Sequence, residues 1–362
     1  MNGLFENRIN RLRDSLGSAK EAFLLTNEVN IGYFCGFFHS EGYLVVTQEK
    51  AVLLVDFRYY EAAQRKAKGC EVILFRKLSE ELLSVLTESG IQSVCAEPSH
   101  MTVSQYSFFK EKLGEKEIAV VAEKRLTDAI GKSRIIKDDA ELSKIQTAQT
   151  IAEQAYLELL NDVRAGVSER ELSARLEYYM KRGGAEDKSF DLITITGKKT
   201  SLPHGVPSDD VIREGDFFTC DFGAVYDGYH SDTTRTVAVG YATDEMRKIY
   251  EIVLRAQLAA LEVIRPGAGA AEVDRTARGI ITDEGYGAFF GHSTGHGVGL
   301  DIHEAPAVSP RGETILKAGM VITDEPGIYL PGRFGVRIED MVCVTETGCR
   351  NFVTLPKELI IL

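Results

Sequence analysis

None of the six cysteines (Cys35, Cys70, Cys95, Cys220, Cys343 and Cys349) stands in CxxC spacing with another. That excludes a zinc knuckle and gives no sign of a disulfide framework, so the cysteines read as reduced, mostly buried thiols. No apolar run approaches the roughly 20 residues that span a bilayer. The opening MNGLFENRINRLRDSL carries charges where a signal peptide needs an apolar core. The expectation is a cytoplasmic protein with no membrane partner. Long single-sign charge runs are missing too, and a net charge of −12 speaks against a nucleic-acid partner. Histidine is scarce, at seven residues, yet three of them fall within twelve positions of GHSTGHGVGLDIHEAP, Gly291 to Pro306.

What is present suits two domains. At 362 residues and 44% hydrophobic content, the chain exceeds the usual single-domain length of roughly 100–200 residues and can bury a sizeable core. Between Glu21 and about Lys124, short apolar runs (AFLLTN, GYLVVTQEKAVLLVDF, VILF, SVCAE, EIAVVAE) alternate with helical patterns (YYEAAQRKA, SEELLSVLTESG, SQYSFFKEKLG). This predicts an α/β domain over 1–130 with a partly parallel sheet, the GYLVVTQEKAVLLV segment forming a hairpin in it. His39 and His100 read as ordinary surface residues there. The basic stretch AIGKSRIIKD is taken as the connection.

The second domain, 131–362, has another rhythm. Helices expected near 139–160 and 168–182 precede β-rich runs, and helices near 243–264 and 271–284 precede the histidine stretch and MVITDEPGIYL. At an offset of 101 residues Arg164 matches Arg265, Gly166 matches Gly267, Glu171 matches Glu272 and Gly184 matches Gly285. These matches favour an α+β domain of two related halves, with a site between them.

Within FFTCDFGAVYDGYHSDTTRTVAVG, Asp227-Gly228 predicts a two-residue hairpin turn. Counting back from the turn sets Asp221 opposite Thr234, with Asp232 on the same face, at a diagonal spacing of roughly 7–8 Å. Two carboxylates there converge on one cation or a pair; the plainer reading has one as a turn residue and the other solvated. Glu325 follows the apolar run GMVIT, and Glu339 belongs to an unexplained acid pair in GVRIEDMVCV. Acids on buried strands are costly unless paired or bound to metal. With His296 they make four carboxylates and one imidazole, a donor set for Mn²⁺, Co²⁺ or Zn²⁺, and enough carboxylate to bridge two ions. The plainer reading of His292 is a hydrogen-bonded loop residue. Cys220 is expected to face the core, and His230 is left unassigned.

The set DFGAVYDGYHSDTTRT, GHSTGHGVGLDIHEAP, GMVITDEPGIYLPG and GVRIED, in that order and spacing, resembles the pita-bread metallopeptidases of family M24, and among them the Xaa-Pro peptidases (prolidase and aminopeptidase P). SRIIKDDAELSKIQTAQTIAEQA resembles the helix that opens the family's catalytic domain, SFDLITITGKKTSLPHG its substrate-side segment, and LLTNEVNIGYFCGF part of a creatinase-like N-terminal domain. The resemblance implies a creatinase-like α/β domain followed by a pita-bread α+β domain with two pseudo-symmetric halves. It implies Asp221, Asp232, His296, Glu325 and Glu339 as ligands of two divalent ions, Mn²⁺ being the expected one, with Asp232 and Glu339 bridging.

It also implies His204 and His303 as histidines that meet the substrate and the developing tetrahedral intermediate. His292 belongs at the substrate pocket, Arg337 lies beside the bridging acid, and Glu325 shuttles a proton. The implied substrates are Xaa-Pro dipeptides or longer Xaa-Pro peptides, and the implied assembly is a homodimer. A methionyl aminopeptidase would lack the N-terminal domain and differ around GVRIED; a creatinase-like hydrolase or an inactive binding module would have lost ligands, and all five are present. Asp324 departs from the pattern, since its position is usually apolar, and strand alternation turns it away from Glu325's face.

Overall fold

The computed structural model describes every residue except Met1 and His39, and gives only the backbone of Asn2. The expectation for His39 therefore lies outside the described residues. The chain folds as two compact units that meet in sequence at Arg134 and Ile135.

The first unit is built on a six-stranded sheet. Its strands lie in the spatial order Glu71–Leu74, Ala51–Val55, Tyr43–Val46, Glu21–Leu25, Ser93–Ala96 and Ala119–Ala122. The strand Tyr43–Val46 runs antiparallel to both neighbours, and the remaining pairs are parallel. Ala51–Val55 and Glu21–Leu25 are buried along their whole length, which explains why they read as continuous apolar runs and not as alternating ones. Helices Phe57–Lys66, Leu78–Glu88 and Val103–Gly114 occupy the amphipathic segments. His100 is exposed, and its Nδ1 lies 3.1 Å from Asn27 Nδ2.

The boundary expected after residue 130 is displaced. Residue 130 lies inside the helix Lys124–Arg134, where Ala129, Ile130, Ser133 and Arg134 are buried, and the two units divide at the end of that helix. Of the basic residues that suggested a connection, Lys132 and Arg134 occupy the last helical turn, where cations complement the helix dipole.

The second unit repeats itself. Helices Asp139–Leu159 and Glu169–Arg182 are followed by the antiparallel strands Ile193–Thr196, Phe217–Phe222 and Thr233–Ala238. Helices Asp244–Val263 and Ala270–Asp283 are followed by a five-stranded sheet that includes Gly295–Gly297, Val321–Asp324 and Asp340–Val344. Backbone detail repeats as well. Gly166 and Gly267 both have positive φ, 89° and 87°. Each N–H donates over 2.9 Å, to Ile212 O and Leu316 O respectively, and Ile212 and Leu316 donate back to Val167 O and Ala268 O. Gly184 and Gly285, at φ 102° and 87°, close the second helix of each half. From there the offset becomes 104, which pairs Gly215 (φ 82°) with Gly319 (φ 86°) and, on the strands that follow, Asp221 with Glu325. A side chain is strained at these left-handed positions, so glycine marks the duplicated turns.

Candidate metal centre

Each candidate ligand is delivered by a strand whose register has a local cause. Asp227 and Gly228 both take positive φ, 47° and 79°, the requirement of a type I′ turn. That turn pairs Tyr226 with Tyr229 and, further down the hairpin, Asp221 with Thr234. Asp221 lies on a fully buried strand, and Asp232 just precedes the next one. Arg337 Nη2 donates to Asp221 Oδ2 over 2.5 Å, while Asp221 Oδ1 is buried without a hydrogen-bond partner. Thr234 Oγ1 donates to Glu339 Oε2 over 2.6 Å and accepts from Arg337 Nε over 2.9 Å.

His296 sits between glycines because its strand is pressed between two others. A Cβ at Gly295 would lie 2.0 Å from Thr323 O, and one at Gly297 would lie 2.2 Å from Ala305 O. His296 Nδ1 hydrogen-bonds to Gly297 O at 3.1 Å. The carbonyl can only accept, so the proton is on Nδ1 and the Nε2 lone pair is left to face Asp232 Oδ2 at 3.4 Å and Glu325 Oε1 at 3.5 Å. Glu325 is positioned by its own N–H, which donates to Thr294 O over 2.7 Å. Asp274 in turn accepts from the N–H and hydroxyl of Thr294. Ligand atoms of Asp232, His296 and Glu339 lie within 4.8 Å of one another.

The electrostatics are those of crowded acids. Burial first, then the neighbouring Glu339, Asp221 and Glu325, holds the Asp232 carboxyl well above the usual carboxylate range. Burial, then Glu325 and Asp221, does the same to Glu339. Glu325 is pushed up to about 8 by burial, against the lowering effect of Arg337. Burial drives His296 and His292 down to about 4, so both imidazoles are neutral at physiological pH. An orphaned carboxylate oxygen, an imidazole lone pair aimed at two acids, and carboxyls that repel one another together fit a divalent-cation centre. A cation there would relieve the repulsion and satisfy Asp221 Oδ1.

These groups line a cleft of about 410 Å³ that brings together all the candidates: His204, Asp221, Asp232, His292, His296, His303, Glu325, Arg337 and Glu339. Phe190, Ile193, Pro203 and Ile302 supply its apolar wall. His303 stacks edge-on to His296 with ring centroids 4.3 Å apart. His230 is not among the lining residues; its N–H donates to Gly299 O. Cys220 faces the core. Asp324 is fully buried on the side of its strand away from the cleft, as the Cα partner of Asp340. Tyr329 is a residue the sequence reading missed. Its hydroxyl bridges His292 Nε2 at 2.8 Å and Arg337 Nη1 at 2.9 Å. Its place in GIYL, four residues after Glu325, was the available signal.

Comparison with known proteins agrees with this geometry. Residues 143–346 match the model of "Metallopeptidase family M24", and residues 8–136 match the "Creatinase/Prolidase N-terminal domain". The chain is 43% identical over 339 residues to an Xaa-Pro dipeptidase of Pyrococcus furiosus, which covers 93% of this chain and 94% of that protein. It superposes on an Xaa-Pro dipeptidase from Bacillus anthracis with a TM-score of 0.95 at 43% identity, covering 99% of this chain and 100% of that one. Against an X-Pro aminopeptidase from Thermotoga maritima the TM-score is 0.91 at 36% identity, with 98% and 100% covered. The chain belongs to metallopeptidase family M24, with a creatinase-type N-terminal domain, the pita-bread fold and the hydrolase chemistry of that family.

Proposed function

We propose that the protein is a two-metal peptidase that hydrolyses the bond between an N-terminal residue and proline. The observation that carries this reading is one cleft lined by four carboxylates and a tautomer-fixed His296, whose Nε2 faces Asp232 and Glu325 and whose ligand atom lies within 4.8 Å of those of Asp232 and Glu339. Asp221, Asp232, His296, Glu325 and Glu339 would hold two divalent ions, Mn²⁺ being the expected one. When bound, the ions supply Lewis acidity and a water made acidic enough to attack near neutral pH.

The remaining work falls to the chain. Glu325 takes the proton of the attacking water and hands it to the leaving nitrogen. His303 stabilises the oxygen that develops negative charge, and His204 and His292 orient the peptide. Arg337 fixes Asp221 and, through Thr234, the carboxylate of Glu339. A proline nitrogen carries no hydrogen in a peptide bond, and the wall of Phe190, Ile193, Pro203 and Ile302 can receive its apolar ring. The choice of proline is supported by the names of the relatives. A cytoplasmic homodimer completes the proposal.

Chelator-stripped protein assayed on Ala-Pro, Ala-Pro-Ala and Ala-Ala, before and after Mn²⁺ is restored, tests it. Cleavage of Ala-Pro alone indicates a dipeptidase, and cleavage of the tripeptide as well indicates an aminopeptidase. Equal cleavage of Ala-Ala, or none of any substrate with metal bound, refutes the assignment.

A further inference from the structure

We propose that Arg235 is a positioning residue that sets the spacing between the two halves of the metal centre, using the C-terminal segment as its anchor. Arg235 precedes no ligand and does not line the cleft; its side chain is 3% exposed. All five of its N–H groups are engaged. Nη1 donates to Thr234 O over 3.0 Å and to Glu339 O over 2.6 Å. Nη2 donates to Asp340 Oδ1 over 2.8 Å and to Leu355 O over 3.0 Å, and Nε donates to Pro356 O over 3.0 Å.

One guanidinium thus ties together three pieces of chain that are distant in sequence. The strand Thr233–Ala238, just after Asp232, belongs to the first half, and Glu339-Asp340 belongs to the second. The third piece, Leu355-Pro356, leads into the C-terminal residues, which pair beside the first strand through Ala238 N to Ile360 O and Leu362 N to Ala238 O. Between Thr234 and Glu339 themselves the N–H of Glu339 donates to Thr234 O over 3.2 Å and the Thr234 hydroxyl to the Glu339 carboxylate over 2.6 Å, and beside them Thr236 Oγ1 donates to Arg337 O over 3.0 Å. Arg235 is what joins this seam to the C-terminal segment. The anchor is itself held, because Lys357 Nζ lies 2.5 Å from Asp340 Oδ2 and Tyr250 donates its hydroxyl to Lys357 O.

A planar fork with five donors has no substitute in lysine, whose ammonium is a compact point charge with three. Losing the fork frees Glu339 to shift relative to Asp232 while the strand ladders persist. Groups that orient metal ligands from behind typically change metal affinity by about ten- to a hundredfold when replaced. The inference rests on the proposed metal centre, so the test must separate the two.

The experiment is titration of metal-free protein with Mn²⁺ alone by calorimetry, with EPR of the loaded protein, on wild type, Arg235→Lys and Asp340→Asn. Ile281→Ala, a core change in the helix Ala270–Asp283, serves as a control for general destabilisation. The expected result is at least tenfold weaker binding of the last Mn²⁺ to both Arg235→Lys and Asp340→Asn. Both should also lose Mn–Mn spin coupling, and kcat should fall more than KM rises. Ile281→Ala should lower Tm yet bind as wild type does. Should Arg235→Lys not fold, Asp340→Asn is decisive alone. Wild-type affinity and coupling in the variants, whatever their Tm, overturn the positioning role. Failure of the wild type to bind Mn²⁺ overturns the metal centre itself.

Discussion

Removing metal should reverse the pH dependence of stability of the catalytic unit. Glu325 in the metal-free protein is pushed up to about 8, and Asp232 and Glu339 are also raised by burial and mutual repulsion. A carboxyl whose folded pKa exceeds its unfolded value holds more protons when folded, so stability falls as pH rises between the two values. His292 and His296 act oppositely, since at about 4 they are neutral in the folded state and protonated in the unfolded one below about 6.5. Their contribution is complete above 6.5 and is lost as pH falls toward 4. Of these groups only the carboxyls titrate above 6.5, and they lower metal-free stability as pH rises.

For Glu325 the decline from pH 6.5 to 8 is 1.5 pH units at about 1.4 kcal/mol each, or about 2 kcal/mol. Its side chain keeps 17% exposure, so this is a ceiling. For a unit the size of Ile135–Leu362 that is a Tm drop of about 4–8 °C. Differential scanning calorimetry of chelator-stripped protein between pH 5.5 and 8.5, with and without Mn²⁺, follows the transition that metal shifts. Metal should raise Tm, remove the alkaline decline, and release protons on binding. A metal-free Tm that stays flat or climbs between pH 6.5 and 8 would refute the reasoning.

Replacing Arg337 with methionine leaves Asp221 buried without its counter-charge, which costs about 3–5 kcal/mol when metal is absent; a loss in urea denaturation under about 1 kcal/mol would contradict the pairing. Tyr329→Phe removes a hydroxyl shared by His292 and Arg337 and should cost about 1–3 kcal/mol. It should raise KM for Ala-Pro with Mn²⁺ affinity nearly unchanged, and an equal loss in Mn²⁺ affinity would place Tyr329 elsewhere in the mechanism. Asp324 is fully buried, both its oxygens lack partners, and burial followed by Asp340 holds its pKa well above the carboxylate range. Asp324→Asn should therefore stabilise the protein increasingly from pH 5 to pH 8, and a stability difference that shrinks over that range would count against it.

The elements legible in the sequence were those with one apolar face. The helices Asp139–Leu159, Glu169–Arg182, Asp244–Val263 and Ala270–Asp283 each carry such a face and were expected within a residue or two. The helix Glu28–Cys35 was missed because six of its eight residues are buried. Burial on all sides erases the 3.6-residue period, and only its Asn27 cap, which accepts from Asn30 N, marked the start. The helix Lys124–Arg134 was missed for a different reason. Its basic residues suggested a connection, when they occupy the end of a helix whose other face is covered.

At the site, residue types were legible and their supports were not, because donors for a metal are chemically unusual on strands whereas the groups that aim them are ordinary. The acid pair Glu339-Asp340 shows the distinction. Strand alternation sends its two members to opposite sides: Glu339 enters the cleft, and Asp340 meets Arg235, Lys357, Gln257 and Asn351. The pair Asp324-Glu325 divides in the same way, and because Asp324 and Asp340 are cross-strand partners, both outward acids fall side by side behind the cleft. Like charges so placed repel. Two cations serve Asp340 while Asp324 keeps none of its own, which explains the opposite directions of their pKa shifts. Each acid is thus assigned by what lies across from it, a relation between positions 11 to 105 residues apart in the chain. Local spacing cannot supply that relation, and it is why Arg235, an unremarked residue in a TRT triplet, joins the two halves of the centre.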